Sequence, residues 1–302
     1  MRRSAITLTL GLAVVALVGA GCAKDGGSAA DHATPTVVAS TDVWGSVAAA
    51  VAGQDASVRS IETGAAADPH SYEATPADVA AIADAALVVY NGGGYDHWVD
   101  DVLAGDPEVD AVDAYSLRPT TGPANEHVFY DPGTAKAVAA KIAERLAAIA
   151  PAHADEYRSN AEEFGRRADA IAAAERAVGA KHPGVAVVAT EPVAHYLLVN
   201  AGITDKTPEG FANAIEDDTD PSPADLAAML DLINSRQVSA LLYNAQTQTA
   251  VTKQIQDAAR RASVPVVEVT ETLPPGLDYL TWQQQTVERL AGQLDAAPQA
   301  RP

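Results

Sequence analysis

The chain has 302 residues, more than one typical domain, and this length predicts two lobes that each have their own core. Its formal net charge of −20, from 20 basic and 40 acidic residues, repels nucleic acid and provides no polybasic surface for anionic lipid. We therefore expect no nucleic-acid partner. Apolar residues make up 48% of the chain and aromatic residues only 5%, which predicts cores built mainly from aliphatic side chains.

The first 22 residues have the organisation of an export signal. Two arginines precede an apolar stretch that is short for a membrane span, and small residues precede Cys22. Cys22 is the only cysteine, so no intramolecular disulfide can form, and its position indicates the lipidated cysteine of a bacterial lipoprotein. The alternative is cleavage elsewhere, which would leave a free thiol. Residues 23–35 are small and polar, as expected of a flexible tether.

The segment 36–132 alternates predicted strands and helices. It opens with the strand TVVAS and a helix that Gly53 closes, and a second strand follows. Thr75 then caps a helix with Pro76 at its first position, before the apolar strand ALVVYN. This βαβαβ order of short apolar strands predicts a parallel sheet with helices on both faces. We therefore interpret the segment as an N-terminal α/β lobe.

The segment 133–180 is nearly free of strand-forming residues and has apolar residues at helical spacing. It predicts one long linking helix or two stacked helices, with Pro151 at a kink or at a first helical position. A continuous helix of roughly 45 residues would span about 65 Å and join the lobes stiffly. A coiled-coil helix is the alternative, although the apolar stripe is rich in Ala and short of heptads.

The segment 181–302 again alternates apolar strands and helices and predicts a C-terminal α/β lobe. The fold class is therefore α/β, with a parallel sheet in each lobe. Ligands of such sheets bind outside the carboxyl ends of the strands. Side chains that can bind metal occur on the loops after predicted strands and before the linking segment, two in each half: His70, His127, Glu191 and Glu271.

Two imidazoles and two carboxylates are ligands that suit a divalent ion such as Zn²⁺ or Mn²⁺. The long separations between them in the sequence form no local metal motif. Taken singly, Glu191 is equally typical of a helix start and Glu271 of a surface turn. His195 lies four residues after Glu191 on the same predicted helix and is a further candidate for the metal site or its cleft.

Several segments resemble the zinc/manganese-type, TroA-like substrate-binding lipoproteins of ABC transporters. The resemblance runs from about Val37 to Leu294 and is carried by DPHSYEATPADVAAIADAALVVYNG, NEHVFYDPGTAKAVAAKIAERLAAIAP, DPSPADLAAMLDLI and VPVVEVTETLPPGLDYL. It implies the cluster A type of periplasmic binding protein, with two Rossmann-like lobes joined by one long rigid backbone helix. Position by position, it implies His70, His127, Glu191 and Glu271 as metal ligands.

The same resemblance implies an ion as cargo, Zn²⁺ or Mn²⁺, with Fe²⁺ as a further option and no organic cofactor. The family commonly has His at the third ligand position in zinc importers and Glu in manganese importers. The chain has Glu191 there, and RPTTGPAN before His127 lacks the histidine-rich loop common in zinc binders. These two departures tilt the chain away from the standard zinc set, and the sequence leaves the choice between Zn²⁺ and Mn²⁺ open.

The resemblance implies a monomeric, exported protein that is lipid-anchored at Cys22 to the outer face of the cytoplasmic membrane and delivers metal to a permease and its ATPase. Four protein ligands would leave no position on the ion for a water nucleophile, so we expect binding and not catalysis. The alternatives are an exported metal-dependent hydrolase with three protein ligands, and an adhesin or scaffold lipoprotein that needs no metal.

Overall fold

The first lobe is built on a four-stranded parallel sheet. In this computed structural model the described residues are 34–64, 71–120 and 124–296, and the chain from Thr34 onward forms one compact unit. The strands lie in the order β2-β1-β3-β4, with these bounds: β1 Thr36–Thr41, β2 Ser57–Glu62, β3 Leu87–Tyr90 and β4 Ala111–Asp113. The predicted signal segment, Cys22, the tether up to Ala33 and His70 lie outside the described residues.

This lobe contains the helices α1 Asp42–Ala52, α2 Pro76–Ala83 and α3 His97–Gly105. The sequence predicts where α1 ends and where α2 begins. Gly53 closes α1 with a positive φ of 59°, which glycine adopts without steric cost. The Thr75 hydroxyl accepts a hydrogen bond from the backbone N–H of Asp78, and Pro76 occupies the first position of α2. The helix α3 and the short strand β4 were not predicted individually.

The second lobe repeats the architecture with the strand order β6-β5-β7-β8, again all parallel. Its strands are β5 Ala186–Ala189, β6 Thr204–Asp205, β7 Leu241–Asn244 and β8 Val266–Val269. Its helices are α6 His195–Ala201, α7 Glu209–Glu216, α8 Pro223–Asn234, α9 Ala250–Ala262 and α10 Tyr279–Ala296. The sequence did not predict β6, which has only two residues, or the short helix α7.

The linking segment forms two stacked helices, one of the two alternatives that the sequence left open, and not one continuous helix over 133–180. The helix α4 covers Pro132–Ile149, a 3₁₀ turn covers Pro151–His153, and α5 covers Ala154–Lys181. Pro151 ends α4 because it has no N–H to donate and its ring clashes with the preceding turn, and α5 then folds back along α4. An ion pair of 2.6 Å between Lys136 Nζ and Asp169 Oδ2 joins the two helices.

The long helix of the fold is α5, whose 28 residues span about 42 Å. It contacts α1 in the first lobe, α6 in the second lobe and the C-terminal helix α10. One apolar core cluster runs through both lobes and these helices, and a smaller cluster lies in each lobe. The helix α5 therefore packs on both lobes. Within the described ranges, no helix is both long and apolar enough to cross a membrane.

Candidate metal centre

Three polar side chains meet at one edge of the second sheet. Glu191 follows β5, Asn244 ends β7 and Glu271 follows β8, and these three strands are neighbours in the parallel sheet. All three residues are buried. The Asn244 amide nitrogen donates to Glu191 Oε2 at 2.6 Å and to Glu271 Oε1 at 2.7 Å. The sheet therefore brings two carboxylates together around one amide.

His127 faces these carboxylates from the chain between the first lobe and α4. Its side chain is fully buried, and Nε2 lies 3.6 Å from Glu271 Oε2. This separation is too long for a hydrogen bond. It is close to the distance of about 3.4 Å that separates two ligand atoms on one tetrahedral Zn²⁺. The two atoms are therefore spaced like two ligands of one metal ion.

Asn125 sets the orientation of the His127 ring. Its side-chain oxygen accepts the backbone N–H of His127 at 2.9 Å and lies 3.1 Å from Nδ1. An amide oxygen only accepts, so Nδ1 is the donor in this contact, and Nε2 is the ring nitrogen that faces Glu271. Hydrogen bonding of the second imidazole nitrogen in this way is typical of metal-binding histidines.

The loop that carries His127 is tied to both lobes. In the first lobe, the Asn91 amide donates to the carbonyl of Glu126 at 2.8 Å and accepts from the Trp44 indole at 3.1 Å. In the second lobe, the Tyr196 hydroxyl donates to the carbonyl of Asn125 at 2.9 Å. The position of the imidazole is therefore determined by contacts on either side of the cleft.

A third carboxyl group, on Glu216 at the end of α7, approaches His127 from the second lobe. Glu216 Oε1 lies 3.6 Å from His127 Nε2, and Glu126 completes this cluster of potential ligands. Burial first of all raises the pKa of Glu216 well above its usual range, and the neighbouring carboxylates of Glu126, Glu271 and Glu191 raise it further. This concentration of acidic groups around one imidazole favours binding of a cation.

Two further residues support the same region. Asp42, at the start of α1, accepts from the backbone N–H of Gly64 at 3.0 Å and of Leu273 at 3.0 Å. It thereby joins Gly64, which follows β2, to the loop that follows Glu271. The Tyr95 ring meets His127 edge-on at 5.7 Å, and burial followed by the charge of Glu271 raises the pKa of its hydroxyl well above 10. Tyr95 is therefore neutral and can serve only as a hydrogen-bonding neighbour.

The structure brings together three of the sequence-predicted residues: His127, Glu191 and Glu271. Glu191 makes no side-chain capping bond at the 3₁₀ turn that it precedes, and its side chain meets Asn244 instead. His195 is half-buried with its ring against Tyr196, and burial lowers its pKa. In the described part of the chain, His195 belongs to neither cluster of potential metal ligands.

Three residues at the site were not predicted from the sequence: Asn244, Glu216 and Asp42. Asn244 could have been found with the rule that selected Glu191 and Glu271, because it also ends an apolar strand. Glu216 lies on a short helix with no distinct pattern. A second cluster, Asp55, His153 and Glu156, lies at the surface, where His153 Nδ1 is 3.0 Å from Asp55 Oδ1.

The sequence and fold of this chain match those of known proteins. The sequence profile of the family described as zinc-uptake complex component A, periplasmic (ZnuA), matches residues 37–293. The chain belongs to the ZnuA family. This is a family of metal-binding substrate-binding proteins that serve ABC importers, not a family of enzymes. As a member of the ZnuA family, the chain is an exported protein with an ion as its ligand.

A curated relative is the manganese-binding lipoprotein MntA of Halalkalibacterium halodurans. The two chains are 31% identical over 158 residues, which cover 50% of this chain and 52% of MntA. The match thus spans about half the length of that relative. Among solved structures, the laminin-binding protein Lmb of Streptococcus agalactiae, described as having adhesin and metal-transporting activity, is 26% identical. It has a TM-score of 0.74, and the match covers 87% of this chain and 100% of Lmb.

The zinc-binding protein TroA of Treponema pallidum has the same fold. Its TM-score is 0.75 at 18% identity, with 87% of this chain and 99% of TroA covered. The predicted fold class, two parallel-sheet α/β lobes with a long helix, is thereby confirmed, and so is the predicted resemblance to TroA-like proteins. The hydrolase alternative is not favoured, because the ZnuA family consists of transport proteins.

Proposed function

We propose that this protein captures a divalent transition-metal ion between its two lobes and delivers it to the permease and ATPase of an ABC importer. The ligands are His70 and His127 from the first half of the chain and Glu191 and Glu271 from the second. The observation that carries the proposal is the 3.6 Å approach of buried His127 Nε2 to Glu271 Oε2, with Glu191 held beside it through Asn244.

The charges and ligand types support this cargo. The two carboxylates beside the buried imidazole repel each other, and a bound cation offsets this repulsion. Nitrogen and oxygen ligands suit both Zn²⁺ and Mn²⁺, and the Irving–Williams order places Zn²⁺ above Mn²⁺ at such a site. His70 would complete the set from the segment that follows Gly64, whose backbone N–H donates to Asp42.

The proposal includes attachment to the membrane. Lipidation of Cys22 would anchor a monomer to the outer face of the cytoplasmic membrane, with residues 23–35 as the tether. The manganese-binding relative MntA is described as a lipoprotein, which supports this arrangement. The domain boundaries 36–132, 133–180 and 181–302 remain predictions, with the middle segment now divided between α4 and α5.

Metal-dependent stability tests the proposal. The unit Thr34–Pro302 is stripped of metal and its thermal unfolding is followed during titration with Zn²⁺ and with Mn²⁺. At about a hundredfold excess over the dissociation constant, bound metal stabilises the folded state by about 2.7 kcal/mol. We expect His70→Ala, His127→Ala and Glu271→Ala to lose most of this gain, because each removes one ligand.

His97→Ala is the matched control, since His97 is an exposed histidine at the start of α3. It should retain the full metal-dependent gain. His195→Ala tests the further candidate, and it should behave like His97→Ala. A wild-type protein whose unfolding temperature responds to neither ion would contradict the proposal. A His70→Ala variant that keeps the gain would remove His70 from the ligand set.

A further inference from the structure

The Asn244 side chain has only one orientation that satisfies its neighbours. Its Oδ1 accepts the backbone N–H of Gln246 at 3.0 Å, and its own backbone N–H donates to the Thr190 hydroxyl at 3.0 Å. With Oδ1 occupied, the two N–H groups of the amide must face Glu191 and Glu271. Asn244 is only 1% exposed, so water cannot readily replace these contacts.

Each of these hydrogen bonds occupies one oxygen of a glutamate. The amide takes Oε2 of Glu191 and Oε1 of Glu271, at 2.6 and 2.7 Å. The second oxygen of Glu271, Oε2, is the atom that lies 3.6 Å from His127 Nε2. One oxygen of each carboxylate is thus turned to Asn244, and for Glu271 the other is turned to the imidazole.

We propose that Asn244 holds both glutamates to monodentate coordination and is thereby a residue that determines metal specificity. This inference rests on the proposed function. With two imidazoles, two monodentate carboxylates form a four-coordinate site, which suits Zn²⁺. Bidentate carboxylates would raise the coordination number to five or six, where Mn²⁺ is comfortable. Asn244 opposes the preference for Mn²⁺ that a glutamate at the third ligand position suggests.

X-ray absorption spectroscopy of the unit Thr34–Pro302, loaded separately with Zn²⁺ and with Mn²⁺, tests the inference on the wild type. We expect four nitrogen or oxygen ligands around Zn²⁺ at about 2.0 to 2.1 Å. In Asn244→Ala the freed carboxylate oxygens should raise the coordination number. The ratio of Zn²⁺ to Mn²⁺ affinity, measured by competition, should fall by about tenfold or more.

Asn213→Ala is the control, because Asn213 is an exposed asparagine on α7, and it should leave both measurements unchanged. Bidentate carboxylates around Zn²⁺ in the wild type would overturn the inference even if Asn244→Ala failed to fold. Equal coordination numbers and equal affinity ratios in wild type and Asn244→Ala would also overturn it, while the proposed function would stand. A wild type that binds neither ion would overturn both.

Discussion

Replacing Glu175 by glutamine is expected to raise the free energy of unfolding by several kcal/mol at pH 9 and to leave it nearly unchanged at pH 4.5. Glu175 lies on α5 and is fully buried. Burial is the main cause that raises the pKa of its carboxyl group from 4.5 to about 8, and the charge of Asp131 raises it further. Below pH 8 the folded protein therefore keeps this group neutral.

The surroundings of Glu175 make its ionisation costly. Asp131, the N-cap of α4, adds a negative charge, and Tyr279 of α10 is a buried hydroxyl whose own pKa is raised by burial and by both acids. Asn200 and the exposed Arg176 favour the charged form of Glu175, but burial outweighs them. Ionisation would thus place a second negative charge where α4, α5, α6 and α10 pack together.

The direction of the pH effect follows from proton binding. Between pH 4.5 and about pH 8 the folded state keeps a proton on Glu175 that the unfolded chain has released. Stability is therefore lost as the pH rises through this window, and the loss is complete above it. One pKa unit corresponds to about 1.4 kcal/mol, so the whole loss is roughly 3 to 5 kcal/mol.

Urea denaturation of wild type and Glu175→Gln between pH 4.5 and 9 measures this effect. The difference between their free energies of unfolding should increase as the pH rises. Glu162→Gln, an exposed change on the same helix, should show no such increase. Comparing variants at each pH removes contributions from other titrating groups. Parallel pH profiles for wild type and Glu175→Gln would show that the buried carboxyl does not control this dependence.

Gly179→Ala is expected to lower the free energy of unfolding by about 3 kcal/mol, the upper end of the usual cost of overpacking a core. Gly179 lies on α5 where the helix meets the end of α6. A Cβ atom there would lie 1.5 Å from the carbonyl oxygen of Ala201, a backbone atom that cannot rotate away. In a free helix the same change stabilises by up to about 1 kcal/mol, so the expected sign is opposite to helix propensity.

Gly292→Ala on α10 is the matched control. A Cβ atom at Gly292 would meet no heavy atom within 4 Å, so helix propensity alone should act and the variant should be equally or more stable than wild type. The midpoints of urea unfolding measure both changes. If Gly179→Ala were as stable as Gly292→Ala, the close packing of α5 on α6 would not contribute to the stability of the fold.

Local signals were enough to predict most elements. Thr75 and Pro76 mark the start of α2, and Gly53 marks the end of α1, because capping bonds and positive φ values depend on a few neighbouring residues. The alternation of apolar strands and helices predicted the parallel sheets, because this pattern too can be recognised in contiguous residues. Pro151 did not decide between a kink and a new helix, because that depends on whether the second helix packs on the first.

The candidate site was only partly predictable. The positions of Glu191 and Glu271 after strands made them candidates, but only the order β5-β7-β8 puts Asn244 between them. Glu216, at the end of α7, lies 3.6 Å from His127, and no local pattern indicates this approach. His70 lies outside the described residues, and its role as a ligand stays a prediction.

The sequence by itself determined the α/β class, the candidates His127, Glu191 and Glu271, and the family resemblance, because periodicity, caps and family motifs are properties of contiguous residues. Only the tertiary structure decided that α4 and α5 are separate helices and that one amide contacts both glutamates. Asn244 lies 53 residues from Glu191 and 27 from Glu271 in the chain. Contacts across such separations depend on strand order and helix packing, which arise when the whole core assembles.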